Sequence, residues 1–197
     1  MTKLRYIMIG GFLGAGKSTA VLRLAKFLSE RGQRVGLITN DQSVGLVDTT
    51  ILESHGYAVE EIAGGCFCCR FDSLVQAARS LRDAASPDVL IAEPVGSCTD
   101  LLATVAYPLR WQYGDNYTIT PLSVMIDPLR ARSMLGLDDD PHFSAKVQYV
   151  YTKQLEEAHI LVINKCDLID EEDGQQLVAA MRRRFPNKKL YVVSARD

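Results

Sequence analysis

Residues Gly11 to Thr19 read GFLGAGKST, directly after the apolar run 6–9 and directly before apolar residues at helical spacing over 21–28. A glycine-rich turn that ends in Lys-Ser, between a strand and a helix, is the Walker A pattern. Its backbone N–H groups and the positive end of the following helix hold a chain of phosphates. Glycine-rich turns also occur without a ligand, but Lys17-Ser18 in this context favours a phosphate-binding loop.

The residue types in this loop predict separate roles. We expect Lys17 to reach the β- and γ-phosphates, where it is also a candidate catalytic residue, and the Ser18 hydroxyl to ligate Mg²⁺. Thr19 is predicted as a further donor to the α-phosphate. The predicted phosphate-binding set is Gly11, Gly14, Ala15, Gly16, Lys17, Ser18 and Thr19.

The chain has 197 residues and a formal net charge of −2. We expect residues 1–197 to form a single domain, because this length buries enough surface to fold without a disulfide. The longest basic runs are 182–184 and 188–189, so nucleic acid is not an expected partner. No apolar run approaches the ~18 residues that span a membrane, and the N-terminus lacks a secretory layout. A cytoplasmic protein without a membrane partner is therefore expected.

Apolar runs alternate with segments of helical spacing along the chain. This order predicts an α/β fold, a P-loop NTPase three-layer sandwich with a mostly parallel central sheet. The segment 107–120 is aromatic and reads as an irregular surface insertion after a short helix over 101–105. Residues 42–56 read as a loop with a short helix. The predicted strands are 4–10, 35–39, 57–62, 89–92, 122–126, 160–163 and 190–193, and the other predicted helices are 17–31, 71–85, 129–135, 143–157 and 171–184.

A second motif, Asn164-Lys165-Cys166-Asp167, follows the apolar strand 160–163 and matches the NKxD element of GTPases. A buried Asp167 carboxylate can accept two hydrogen bonds from the guanine N1–H and exocyclic amine, whereas adenine would leave it without partners. We expect Asn164 to tie this loop to the phosphate loop and the Lys165 stem to cover the base. Ser194-Ala195 resembles the SA element that meets the guanine O6. GTP and GDP are therefore the predicted nucleotides.

Glu93 ends a buried strand and opens the element Glu93-Pro94-Val95-Gly96. A carboxylate there is predicted to hold Mg²⁺ through water, and the Gly96 N–H is predicted to contact the γ-phosphate. Asp41 and Asp48 lie on the loop expected to act as the first switch. Either of them, or neither, positions the attacking water. No catalytic glutamine or arginine finger stands out, so slow intrinsic hydrolysis is predicted.

Three of the five cysteines crowd into Cys66-Phe67-Cys68-Cys69. Cytoplasmic thiols stay reduced, and neighbouring thiolates favour Zn²⁺, Cu⁺ or Co²⁺. A further ligand is expected from Asp41, Asp48, His55 or a second chain. The alternative for the trio is apolar packing, which is the preferred interpretation for the isolated Cys98 and Cys166. His55, His142 and His159 are each isolated and are interpreted as surface or packing residues, with His55 the best candidate ligand among them.

Taken together, the motifs resemble those of the CobW-type metal-chaperone GTPases, relatives of the nickel-insertion GTPases HypB and UreG. The resemblance covers almost the whole chain: GFLGAGKST, GGCFCC, the Glu93 element, the run 153–158 (KQLEEA), INKCDLI and SA follow in that order. It implies GTP hydrolysis coupled to delivery of a metal, often zinc or cobalt, to a client metalloprotein. It also makes a homodimer plausible.

Three features depart from the pattern of this family. The family's switch usually reads NEFGExxxD, whereas Val44 stands here in place of the second acid. The family favours small hydroxyl residues after the glutamate, where this chain has Pro94. Family members also usually continue into a smaller C-terminal domain beyond the SA element.

Two other functions stay open on the sequence alone. A P-loop kinase for a small molecule would share the phosphate loop but would be expected to prefer ATP. A non-catalytic module would use GTP to present a partner surface along 107–117.

Overall fold

The computed structural model describes residues 3–40, 56–138 and 143–195. A π-helical turn spans Leu102–Ala106, and a 3₁₀ turn spans Cys166–Leu168. The strands are β1 Leu4–Gly11, β2 Val35–Thr39, β3 Ala58–Glu61, β4 Val89–Glu93, β5 Tyr117–Ile119, β6 Ser123–Ile126, β7 Ile160–Ile163 and β8 Lys189–Val192. The helices are α1 Lys17–Ser29, α2 Phe71–Ala85, α3 Tyr107–Tyr113, α4 Pro128–Met134, α5 Ala145–Glu157 and α6 Glu171–Arg184.

The strands form one sheet in the order β3-β2-β4-β1-β6-β7-β8, and every pair within this order is parallel. The strand β5 lies outside this order and pairs with the first half of β1, while β6 pairs with its second half. The phosphate loop therefore leaves a strand that is hydrogen-bonded on both sides. The predicted α/β sandwich with a parallel central sheet is confirmed.

Alternation along β1 builds the two sides of the core. Tyr6 and Met8 point into the larger cluster, which α2, α3, α5 and α6 also line. Ile9 points to the opposite side, where it packs with α1 through Val21 and Ala25. Strands that are apolar on both faces need helices on both sides of the sheet, which is the arrangement observed.

The prediction of an irregular surface insertion over 107–120 is wrong. This segment contains α3 and β5, and it buries Leu109 and Tyr117. Its aromatic side chains have opposite surroundings: Tyr117 packs edge-on against Tyr6, whereas Trp111 is 79% exposed. Aromatic composition alone does not separate the two cases, because only pairing with β1 decides which ring is covered.

The predicted helix over 101–105 is also corrected. The chain forms a π-helical turn there and continues without a break into α3, with Pro108 in the first turn of the helix. Proline has no N–H to donate, so the hydrogen-bond pattern changes at Pro108, where the π-helical turn passes into α3.

Candidate nucleotide and metal site

The phosphate loop is shaped by three glycines with positive φ, Gly11, Gly14 and Gly16. Residues with a Cβ avoid this conformation. Gly16 is restricted a second time, because a Cβ added there would overlap the amide nitrogen of Asn164. The loop therefore closes directly onto the NKxD element, as predicted for Asn164.

Three side chains, one from α4 and two from the loop after β7, donate to successive carbonyl oxygens of the phosphate loop. Arg130 donates to the Leu13 oxygen, Lys165 to the Gly14 oxygen at 2.6 Å, and Asn164 to the Ala15 oxygen at 3.0 Å. The C=O and N–H groups that flank a trans peptide bond point in opposite directions. Holding these carbonyls therefore turns the N–H groups that follow them the opposite way, and of these the Ala15 N–H donates within the loop to the Phe12 oxygen at 3.1 Å.

Arg130 is a contact that the sequence motifs did not predict. Its guanidinium lies 5.4 Å from the centre of the Phe12 ring, and Asp127 caps its helix by accepting from the Arg130 N–H at 3.2 Å. Asp127 also accepts from Lys165 at 3.0 Å. The pair Asp127-Pro128 after β6 was the available signal, since Asp before Pro opens helices.

Ser18 and Glu93 converge at the opposite end of the loop. The Ser18 hydroxyl donates to the Glu93 carboxylate at 3.0 Å, and Lys17 is only 8% exposed. Gly96 packs against the loop so closely that a Cβ on it would lie 2.7 Å from the Leu13 nitrogen. A hydroxyl and a carboxylate are the hard oxygen ligands that Mg²⁺ prefers, so these residues fit the predicted cation.

The base-recognition residues follow β7 and β8. The Asn164 side-chain oxygen Oδ1 accepts from the Ala195 N–H at 2.9 Å, while its Nδ2 donates to the phosphate loop. One side-chain amide therefore joins the SA element to that loop. Lys165 has a left-handed backbone with φ 56°. Asp167 lies in the 3₁₀ turn and is exposed, and its predicted pairing with guanine stays a prediction. The Ser194 hydroxyl is buried without a hydrogen-bond partner among the described residues.

The thiols of Cys66, Cys68 and Cys69 form a compact cluster. Sulfur–sulfur distances are 2.7 Å between Cys66 and Cys68, 3.2 Å between Cys66 and Cys69, and 4.0 Å between Cys68 and Cys69. Zn–S bonds of about 2.3 Å place tetrahedral sulfur atoms roughly 3.8 Å apart. Shifts of about 1 Å would therefore fit the trio to one ion. Among the described residues this is the group that could hold a metal ion.

Cys66 and Cys68 have pKa values shifted in opposite directions. Burial alone raises the pKa of Cys66, but hydrogen bonds with Cys68 and Cys69 outweigh burial and lower it to about 7. Burial, together with the Cys66 hydrogen bond and charge, raises the pKa of Cys68. Metal ligands must be thiolates, so Cys66 ionises before Cys68, and Cys68 must lose its proton as the ion binds.

The family model described as "CobW/HypB/UreG, nucleotide-binding domain" matches residues 5–192. The chain belongs to this family. The resemblance to this family is thereby confirmed over residues 5–192.

Relatives within the CobW/HypB/UreG family include two proteins named as zinc chaperones. The zinc chaperone YeiR of Escherichia coli is 30% identical over 86% of this chain and 49% of its own length. The zinc chaperone CobW of a Sinorhizobium species is 28% identical over 85% of this chain and 52% of its own length. The chain thus spans about half the length of these relatives.

A solved structure from the same family supports the fold. HypB from Helicobacter pylori, in complex with nickel, superposes with a TM-score of 0.67 at 18% identity, covering 98% of this chain and 80% of that one. Identity this low supports the fold alone. Within the described ranges, no helix is both long and apolar enough to cross a membrane.

The sequence predicts Cys98 as a packing residue. It is buried in the larger core cluster, against which Cys66 also packs, and burial together with the charges of Cys66 and Cys68 raises the pKa of its thiol. Cys98 comes two residues after Gly96, so one short segment contacts both the phosphate loop and the cysteine cluster. The signal in the sequence was position: a cysteine just after the Glu93 element lies at the same edge of the sheet.

Asn40, directly after β2, connects that strand to the cysteine segment. Its amide donates to the Ile62 oxygen at 2.7 Å and to the Gly65 oxygen at 2.6 Å. Phe67, between two of the cysteines, is fully buried in the larger core cluster. The cluster is therefore fixed from both sides of its own loop.

Several predicted residues lie outside the described ranges, namely Asp41, Asp48, His55 and His142. Their predicted roles as ligand, switch or surface residue stay predictions. His159 is described, and its Nδ1 accepts from the Leu122 N–H at 3.1 Å, which supports its interpretation as a structural residue.

Proposed function

We propose that this chain is a GTPase that binds a transition metal, zinc or cobalt, at Cys66, Cys68 and Cys69 and passes it to a client metalloprotein. One observation carries the proposal. The segment 93–98 contributes Glu93 beside Ser18, Gly96 against the phosphate loop and Cys98 beside Cys66. A change at the γ-phosphate therefore has a covalent path of a few residues to the thiols.

The nucleotide in this proposal is GTP. Asn164 and Lys165 already hold the phosphate loop, and Asp167 follows them at the mouth of the site. A carboxylate there pairs with the N1–H and amine of guanine, while the Ala195 segment approaches O6. A bound base displaces water from the Asp167 carboxylate. Guanine offers two donors in return and adenine does not, so adenine is discriminated against.

Hydrolysis in this proposal depends on charge placement. Lys17 would face the β- and γ-phosphates, and Ser18 and Glu93 would hold Mg²⁺, Glu93 through water. Bound Mg²⁺ would neutralise charge that develops on the phosphate oxygens. No catalytic glutamine stands out in the sequence, and Asp41 or Asp48 would position the attacking water. A slow intrinsic rate is therefore part of the proposal.

The metal in this proposal is cargo. The thiol cluster and the names of the relatives support its assignment. Both YeiR and CobW are named zinc chaperones. The proposal places the chain in the cytoplasm, where thiols stay reduced, as one domain over 1–197 that acts on a client and forms a homodimer during metal transfer.

The decisive experiment measures phosphate release and Zn²⁺ affinity on the same preparation. We expect release from GTP and not from ATP, and tighter or weaker Zn²⁺ binding with a non-hydrolysable GTP analogue than with GDP. Cys66→Ser should lose Zn²⁺ binding at least tenfold, while Cys166→Ser, whose thiol lies outside the cluster, should not. Preference for ATP would favour a small-molecule kinase, and absence of phosphate release would favour a non-catalytic module.

A further inference from the structure

The segment 96–98 lies between the phosphate loop and the cysteine cluster. At one end, Gly96 stands against the backbone of Leu13, with room for no side chain. At the other end, the buried Cys98 lies in the larger core cluster, against which Cys66 also packs. Only Ser97 separates the two contacts.

A buried amide from another element holds both ends of this segment. Gln154 of α5 is 2% exposed, and its Nε2 donates to the Gly96 oxygen at 2.9 Å and to the Cys98 oxygen at 2.8 Å. A glutamine amide nitrogen carries two hydrogens, so both are used. Buried donors and acceptors that lose their partner are costly, which makes these two bonds hard to break separately.

The same helix supports the segment one turn further on. Glu157, three residues after Gln154, accepts from the Leu102 N–H at 3.2 Å. Residues three apart share one face of a helix, so α5 presents Gln154 and Glu157 together to the segment 96–102. The segment therefore rests on a rigid helix along its length.

We propose that Gln154 is a positioning residue that makes Gly96 and Cys98 move as one unit, so that the nucleotide state sensed at Gly96 changes the metal affinity at Cys66. This rests on the proposed GTPase and metal-binding function. With both carbonyls held by one amide, a displacement of Gly96 on γ-phosphate loss shifts Cys98 in the same direction. Without the amide, Ser97 can absorb the displacement.

The test compares coupling, not binding alone. In the full chain, Zn²⁺ affinity is measured by competition with a chromophoric chelator, once with GDP and once with a non-hydrolysable GTP analogue. Allosteric couplings are typically about 5–150-fold, and they are reciprocal. We expect the ratio of the two affinities to fall to within about twofold of unity in Gln154→Leu, while GDP affinity changes less than about threefold.

Two further variants make the result specific. Gln176→Leu removes a glutamine whose amide bonds only to Glu172 on its own helix, and it should keep the wild-type ratio. Gln154→Asn retains an amide that is one methylene shorter and reaches one carbonyl at most, so it should give an intermediate ratio. If Gln154→Leu does not fold, Gln154→Asn decides.

A wild-type ratio in folded Gln154→Leu, or in Gln154→Asn where the leucine variant does not fold, would overturn the proposal. So would equal Zn²⁺ affinities for the two nucleotide states of the wild type. In either case phosphate release and Zn²⁺ binding by the wild type would still support the proposed function. Loss of those two activities in the wild type would contradict the proposed function itself.

Discussion

In the proposed function, base preference depends on a single carboxylate, that of Asp167. Asp167→Asn would place an amide donor opposite the N1–H and amine donors of guanine. We expect GTP affinity to fall about a hundredfold and affinity for xanthosine triphosphate, which carries a carbonyl in place of the amine, to rise. Competition against a fluorescent GDP measures both. Unchanged GTP affinity would remove Asp167 from base recognition.

Glu157 gives a residue-scale prediction on pH. Burial, assisted by the charge of Asp100, raises its pKa from 4.5 to about 7, even though the Leu102 N–H bond opposes the shift. Between those values the folded protein holds a proton that the unfolded chain has lost, so stability falls as pH rises through this window. Above pH 7 the loss is complete.

Glu157→Gln removes this titration while its amide oxygen can still accept from Leu102. We expect the variant to gain about 1–2 kcal/mol relative to wild type between pH 5 and pH 8, after solvent screening of a half-buried group is allowed for. Urea unfolding at both pH values measures it. Glu156→Gln, an exposed neighbour paired with Lys153, is the control, and an equal gain there would contradict the assignment to Glu157.

The phosphate loop acts at the scale of an element, because its shape depends on side-chain hydrogen bonds from α4 and from the loop after β7. Arg130→Ala removes the donor to the Leu13 carbonyl and the cation that lies over Phe12. We expect GTP-analogue affinity to fall about tenfold, with a smaller effect on GDP, because Leu13 also contacts Gly96 at the γ-phosphate end. Isothermal calorimetry with both nucleotides separates the two effects.

Arg31→Ala is a matched control for this measurement. Arg31 also donates to a backbone carbonyl, that of Phe27 at 3.1 Å, and its guanidinium lies 3.4 Å from the centre of the Phe27 ring. It lies just beyond the C-terminal end of α1, away from the phosphate loop, so nucleotide affinity should not change. Equal losses in Arg130→Ala and Arg31→Ala would indicate a general effect on stability.

The cysteine segment is an element that depends on one buried ring. Phe67 is fully buried, whereas Phe27 on α1 is 49% exposed. We expect Phe67→Ala to cost about 3–5 kcal/mol in the free energy of unfolding and to weaken Zn²⁺ binding, because the loop between the thiols loses its anchor. Phe27→Ala should cost less than about 1 kcal/mol. Denaturant unfolding measures both, and a small cost at Phe67 would contradict its role as anchor.

The elements also show how far the sequence predicts this molecule. The glycine loop, the NKxD element and the apolar strands carry strong local patterns, so β1, α1, β7 and the helix over 171–184 were predicted within about two residues. The segment 107–120 was not, because α3 and β5 are short and their burial depends on pairing with β1. Local pattern contains no information on that pairing.

The candidate site divides in the same way. The residues with a known motif, such as Lys17 and Asn164, are predicted from spacing alone. Arg130, Cys98 and Gln154 are ordinary residue types in their local sequence, and their contacts span long sequence separations. Gln154 lies 56 residues from Cys98. Only the assembled sheet edge shows that these side chains meet the phosphate loop and the thiols.

At the scale of the whole molecule, the two sites share a single sheet edge and the helices behind it. The phosphate loop follows β1, the Glu93 segment follows β4, and the base-recognition loop follows β7. Parallel strands place all these ends together, which is where ligands bind in doubly wound folds. The phosphate loop and the cysteine segment, which follows β3, therefore both leave the sheet at the ends of parallel strands.

The strand β1 occupies the centre of this arrangement. It pairs with β4 along one side, and on the other side with β5 near its start and β6 near its end. Amide hydrogens paired in the middle of a sheet open only with global unfolding. In heavy water, the β1 amides should be the slowest to acquire deuterium and those of the rim strand β8 the fastest among the strands. The phosphate loop would then follow the strand that unfolds last.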